Sequence, residues 1–321
     1  MRRTIRRGYA LLPLLRISGI EQETYPFRDK YSEKVVNMAE ILERKDLCAM
    51  NCAESKKRSR IRIAAGKSFY TLIRYFHWYF GGIRFAKTRK EERLPYSCFQ
   101  HQTPLVRKLK NVDMWMQRNK AVNLRIAVKR IDGIVVEPGE TFSFWRLIGK
   151  PSCRKGYQEG MVLYGGKLGA GVGGGLCQLS NLIYWMTLHT PLTVTERHRH
   201  SYDAFPDDNR TQPFGSGATC VYNYRDLQIR NSTSEPFQLL LYLDNDCLKG
   251  EWRTTRRPVI RYQVYEKKHW ITHEYWGGYI RHNVIRRKLL SLDGELLNDQ
   301  FICENHAIMM YSPFLEESQV N

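Results

Sequence analysis

Gly173-Gly174-Gly175-Leu176-Cys177-Gln178-Leu179-Ser180-Asn181-Leu182-Ile183-Tyr184-Trp185-Met186-Thr187-Leu188-His189 is the stretch on which the reading of this chain turns. Three consecutive glycines favour a turn over regular structure. From Cys177 onward, apolar residues at 179, 182, 183, 186 and 188 recur at helical spacing, which predicts a helix closed before Pro191. Leu192-Thr193-Val194-Thr195-Glu196-Arg197-His198 then has the texture of a strand. The segment reads as turn, helix and strand, with a thiol at the first helical position.

Working outward, apolar residues at 124, 127, 128 and 131 predict a second helix, and Ile134-Val135-Val136 a strand. Pro138-Gly139-Glu140 is a turn signal, with Thr141-Phe142-Ser143-Phe144-Trp145 extended beyond it. Gly165 to Gly175 reads as one long glycine-rich loop. Ala218 to Tyr222, Leu227 to Arg230 and Phe237 to Leu243 read as short strands, and Asp293-Gly294 as a hairpin turn between Leu290 and Leu296. The expected fold is α+β: a helical N-terminal part, then a core in which the glycine-loop/cysteine helix packs on a largely antiparallel sheet. The expected divisions are a basic, partly helical extension over 1–65, a core over 66–255, and a β-rich extension over 256–321. In the first, Ser32 is a candidate cap for a short helix.

The apolar share is 42%, with 19 Tyr, 13 Phe and 7 Trp among 321 residues, which excludes wholesale disorder. Fifty-one Lys and Arg against 32 Asp and Glu give a formal charge of +19, a field that attracts polyanions or anionic lipid. The eight cysteines lie at 48, 52, 98, 153, 177, 220, 247 and 303, without zinc-ribbon spacing, and suit reduced thiols. Arg2, Arg3, Arg6 and Arg7 precede a short apolar run broken by Pro13 and closed by Arg16, so no cleaved signal peptide is expected. No stretch reaches the roughly 18 apolar residues of a spanning helix. A cytoplasmic location is expected, or a peripheral one at the inner face of the membrane. The run Phe69 to Phe80 is apolar nearly all round and flanked by Lys67, Arg84, Lys87, Arg89 and Lys90. That pattern fits an interfacial membrane helix and, more commonly, an ordinary packing helix.

The chemistry concentrates at Cys177. A thiol at a helix start meets unpaired N–H groups and the positive end of the helix dipole, which favour thiolate and could hold an oxyanion. Gly173, Gly174, Gly175 and Gln178 are the candidate oxyanion or substrate-contact residues. The alternative is that Cys177 is a small buried hydrophobe. In an extended segment Glu196, His198 and His200 share one face and Arg197 faces away. Either histidine is a candidate general base, with Glu196 and Arg197 supporting; each is alternatively structural. The same groups permit a metal site, but nothing in the spacing fixes a geometry, and neither metal nor cofactor is expected. The glycines lack the Gly-Lys-Ser/Thr ending of a phosphate loop, and no nucleic-acid motif accompanies the basic patches.

Asn123-Leu124 with Ala127, Pro138-Gly139-Glu140-Thr141-Phe142-Ser143-Phe144-Trp145, Gly173 to Leu182, and Glu196-Arg197-His198-Arg199-His200 together resemble the VanW family, over about 74–252. The resemblance implies a cell-envelope protein associated with glycopeptide (vancomycin) resistance. It further implies a cysteine acyl-transferase of the L,D-transpeptidase kind acting on a peptidoglycan peptide or precursor, with Cys177 as nucleophile and His198 or His200 as base. The alternative is a non-catalytic accessory protein that binds an anionic envelope precursor or membrane surface. Family members often carry Asp where this chain has Gly217, before Ala218-Thr219. Asp203, Asp207 and Asp208 are the candidates to orient the histidine in its place.

Overall fold

A long helix, α1 (Arg60–Phe80), leads to strand β1 (Tyr96–Pro104), helix α2 (Met114–Ile131) and two short strands, β2 (Ile134–Val136) and β3 (Thr141–Ser143). Short helix α3 (Phe144–Ile148) precedes strands β4 (Glu159–Tyr164) and β5 (Lys167–Val172). Then come α4 (Cys177–Leu188), β6 (Thr193–Glu196) and β7 (Tyr202–Asp203). The remainder is strand: β8 (Gln228–Arg230), β9 (Phe237–Leu243), β10 (Cys247–Thr254), β11 (Arg261–His273), β12 (Tyr279–Leu290) and β13 (Leu296–Met309). The computed structural model describes residues 59–106, 113–164, 167–204 and 212–313, nearly all in one compact unit, Ile63–Asn321. The helix expected near Ser32 and the Cys48 and Cys52 pair lie outside the described residues.

The architecture is α+β, as the residue pattern predicts. The central sheet runs β1-β10-β9-β2, antiparallel throughout, and α4 packs on β10 and β1 while α2 packs on β9. Leu179, Leu182, Ile183 and Met186 of α4 are buried, in one cluster with Leu239, Leu241, Leu248 and Trp252 from the sheet. Each such leucine contributes about 1.5–3 kcal/mol through burial. The predicted stripe of α2 behaves alike: Leu124, Ala127, Val128 and Ile131 all face the core. A smaller sheet, β3-β8-β6, carries the strand that leads to the two histidines. The C-terminal strands β11-β12-β13 form an antiparallel meander, turned at Gly277 and Gly294, to which β7 adds in parallel through Ile308 and Met309.

Four local expectations are corrected. The extended reading of Thr141 to Trp145 holds only to Ser143; Phe144 onward is helical because Ser143 Oγ accepts from Arg146 N and Asp226 Oδ1 accepts from Trp145 N, capping the helix start. Gly165 to Gly175 is not one loop: Lys167–Val172 pairs with β4, leaving Gly173 to Leu176 as the turn. Ala218 to Tyr222 is not a strand; its one ladder contact is the isolated bridge from Val221 to Arg225, and its other groups turn toward α4 and the His198 segment. Helix α1 is no ordinary packing helix either. Only Trp78 among its described side chains is buried, at 6% exposure, whereas Phe69 stands at 59%, Leu72 at 67% and Phe76 at 62%.

Candidate functional site

Helix α4 begins at Cys177, and the turn before it is shaped by close packing. A Cβ on Gly174 would sit 2.1 Å from the Gly160 carbonyl carbon, so a side chain there would drive the turn off β4. Asn123 Nδ2 donates to Gly174 O at 3.0 Å and to Gln158 O at 2.9 Å, fixing the same junction. Gly173 and Gly175 adopt φ of 79° and 88°, and their open sides are filled by Pro151 and Lys120. The three glycines thus serve the packing of turn on hairpin.

The amides of this turn divide into two groups. Gly173 N–H donates to Gln158 O, Gly174 N–H to Gly171 O, and Gln178 N–H to Gly175 O. The Gln178 side chain is also committed, donating to Thr103 Oγ1 at 2.9 Å and Pro104 O at 2.8 Å. Among the described residues, the N–H groups of Gly175, Leu176 and Cys177 have no backbone partner. Of the four candidate oxyanion positions, only Gly175 therefore keeps an open amide.

The segment from Gly217 to Cys220 lies over the first turn of α4. Ser180 Oγ donates to Ala218 O at 2.7 Å, and Ala218 N–H donates to Asn181 Oδ1 at 2.9 Å. Burial raises the Cys177 thiol above its ordinary value, while the N–H groups of Cys220 and of Cys177 itself oppose that rise. Cys220 is buried where Cys177 is half-buried, and burial together with the neighbouring Cys177 raises the Cys220 thiol too. The expected low thiol pKa is thus overturned: desolvation outweighs the helix-start amides.

The two histidines part company. His198 Nε2 lies 3.1 Å from Glu196 Oε1, and Glu196 takes a bidentate pair from Arg74 of α1, with both contacts at 2.6 Å. Asp226 N–H adds a third donor to Glu196 at 3.0 Å. Burial alone would raise the Glu196 carboxyl; hydrogen bonds from His198, Arg74 and Asp226 N–H outweigh it and hold it at about 2. Asp226, deeper still, is pushed by burial up to about 6 despite hydrogen bonds from Ser143 and Trp145 N–H. His200 instead faces α4. Its Nδ1 is 2.8 Å from Thr219 Oγ1 and its Nε2 is 3.4 Å from Asn181 Oδ1, one helical turn beyond Cys177. Among the described residues no hydrogen bond joins the thiol to either imidazole.

The strand predicted through His198 ends at Glu196, and Arg197 is committed to the Gly215–Gly217 bend. It donates to Gly217 O at 2.9 Å, to Gly215 O and to Asn305 Oδ1 at 3.0 Å, and lies over the Tyr184 ring. It therefore ties the Gly215–Gly217 bend to β13. A Cβ at 217 would meet Asn181 Oδ1 at 2.7 Å and His200 Nε2 at 3.2 Å, so Asn181 occupies the place from which a side chain at 217 would reach the ring. Asp203 is no substitute orienter: it is buried and held by Arg281 and the Tyr311 hydroxyl. Asp207 and Asp208 lie outside the described residues. Among the described residues no group of three or more His, Cys, Asp or Glu is placed to hold a metal ion. Asn181, Thr219, Cys220 and Arg74 were missed by the residue reading. Asn181 carried a signal, standing four residues after Cys177 on one helix face; Cys220 and Arg74 come from distant sequence and carried none.

An α+β domain that sets a helix-start thiol beneath the Gly217–Cys220 segment, with His200 held against the same helix, is the class these features define. Residues 119–253 match the family model described as VanW like protein. The vancomycin B-type resistance protein VanW of Enterococcus faecalis is 34% identical over 232 residues, covering 72% of this chain and 84% of that protein. The uncharacterized protein YoaR of Bacillus subtilis is 30% identical over 122 residues, 37% of this chain and 38% of that protein. No solved structure matches. The chain belongs to the VanW family.

Proposed function

We propose that this VanW-family protein is a cysteine acyl-transferase acting on a peptidoglycan peptide or precursor, with Cys177 as nucleophile and His200 as base. The reading rests on one juxtaposition: the thiol opens α4, and His200 is held against Asn181 one turn along the same helix. The raised thiol pKa makes a base necessary, since such a thiol is mostly protonated near neutral pH. In the active tautomer Nδ1–H donates to Thr219 Oγ1, and Nε2 exchanges its long Asn181 contact for the thiol proton. The thiolate adds to the substrate carbonyl while the Gly175, Leu176 and Cys177 N–H groups receive the oxyanion. Nε2–H then protonates the departing amine, leaving a thioester. An acceptor amine attacks that thioester, gives its proton back to Nε2 and regenerates the thiol. His198, held by Glu196 and Arg74, fastens the segment rather than moving protons.

The test is to incubate the protein, Cys177→Ala and His200→Gln with stem peptides and follow products by mass spectrometry. Wild-type protein should form cross-linked or exchanged peptide, Cys177→Ala none, and His200→Gln far less. Turnover by Cys177→Ala at the wild-type rate would end the proposal.

A further inference from the structure

Helix α1 is amphipathic in the inverted sense. Its outer stripe is Phe69, Leu72, Ile73, Phe76 and Phe80, a run at helical spacing, and every member is exposed. The opposite side does the docking. There Arg74 pairs with Glu196, Trp78 is buried, and Arg146 donates to Trp78 O. Tyr75 joins in through a 2.7 Å contact between its hydroxyl and that of Tyr222. The apolar face is thus held outward by polar anchors on the inner one.

We propose that this stripe inserts into the headgroup boundary of an anionic phospholipid bilayer. Charge selects that partner. From Ser55 to Lys90 the sequence has 11 Lys and Arg and no Asp or Glu, so the aromatic run sits within a wholly basic stretch. A protein partner would need a matching acidic groove, whereas anionic lipid supplies diffuse negative charge over an apolar interior. Length excludes crossing: the apolar run Phe69 to Phe80 covers about 18 Å at the helical rise, against roughly 30 Å of hydrocarbon. No helix among the described residues is long and apolar enough to cross a membrane. The helix therefore lies in the interface plane, its phenylalanines among the acyl chains and Lys87 and Lys90 beyond its end at the phosphates.

The test uses the full chain with vesicles of mixed phosphatidylglycerol and phosphatidylcholine, and with phosphatidylcholine alone, in about 150 mM salt. Co-sedimentation should favour the anionic vesicles. Joint Phe69→Ser, Leu72→Ser and Phe76→Ser should weaken it at least ~10-fold through lost apolar burial, with an unchanged melting temperature because the face is exposed. Joint Lys87→Glu and Lys90→Glu should weaken it roughly 10-fold or more, again without loss of fold. Failure of the full chain to bind anionic vesicles would overturn the proposal. So would equal binding to neutral vesicles, or binding indifferent to the triple serine change. A concentration-dependent dimer in sedimentation that the serine changes abolish, without vesicle binding, would assign the stripe to a second copy instead.

Discussion

Helices α1 and α4 are both rich in aromatic and aliphatic residues, yet they sit oppositely. In α4, Leu179, Leu182, Ile183 and Met186 are sealed against β10 and β1, and the first turn is left to present Cys177. In α1 the stripe from Phe69 to Phe80 points outward, and what meets the core is a guanidinium, a tyrosine hydroxyl and a single indole. Periodicity identifies a face; the polar anchors decide which way it turns. Burial free energy holds α4 in place, whereas α1 docks through the Arg74–Glu196 pair, the Tyr75–Tyr222 contact and one buried indole.

The largest expected effects lie at the thiol. Cys177→Ala should abolish turnover, and His200→Gln should slow acylation on the order of 10²–10⁴-fold, the range for losing a general base. His198→Gln should fall well short of that, and equal losses at both histidines would break the division drawn between them. Single-turnover assays on stem peptides would separate the three.

The next contrast is between the two helices. Leu182→Ala should cost about 3 kcal/mol, as a large-to-small change in a filled core. Leu72→Ala on the exposed stripe should stay within about 0.5 kcal/mol. Denaturant midpoints for the pair measure this, and similar losses would mean that the α1 face is covered.

Glu196→Gln removes the anchor that α1 shares with His198, at about 2–3 kcal/mol near neutral pH. The sign follows from the depressed carboxyl: a folded value of about 2 lies below the ordinary carboxylate value, so the stabilisation is present above about pH 4.5 and is lost as pH falls toward 2. The gap between wild type and Glu196→Gln should therefore be flat from neutral pH down to about 4.5 and then narrow. Asp226 has the opposite sign. Its folded value of about 6 makes it favour the folded state in acid, an advantage lost as pH rises through 6.

The smallest expected effect is kinetic. Because burial raises the Cys177 thiol, its alkylation by iodoacetamide in the absence of substrate should climb with pH past the ordinary thiol range, without a plateau near neutrality. Peptide-resolved mass spectrometry distinguishes it from the other cysteines. A neutral plateau would indicate a preformed thiolate and make the base unnecessary.

The α+β class, the helix at Cys177 and the turn at Gly294 were legible because each rests on local signals: a 3.6-residue stripe, a glycine turn, a proline stop. The short helix after Ser143 was not, since its cap comes partly from Asp226, 83 residues away from Ser143. The strand Lys167–Val172 hid within glycines because its partner, rather than its own propensity, holds it extended. At the site, Cys177 and both histidines were visible as residue types, but their difference was not. His198 is claimed by Glu196, itself paired with Arg74 from a distant helix, and His200 by Asn181 and Thr219. The direction of the thiol shift is illegible for the same reason: helix-start amides can be read from sequence, but the desolvation that outweighs them cannot.

The central claim is a covalent one. Stem peptide mixed with wild-type protein and quenched in acid should yield a Cys177-containing peptide whose mass is raised by an acyl group and restored by neutral hydroxylamine, as a thioester requires. The same adduct should be absent from Cys177→Ala. Turnover of the peptide with Cys177 unmodified and indifferent to electrophiles would contradict the account.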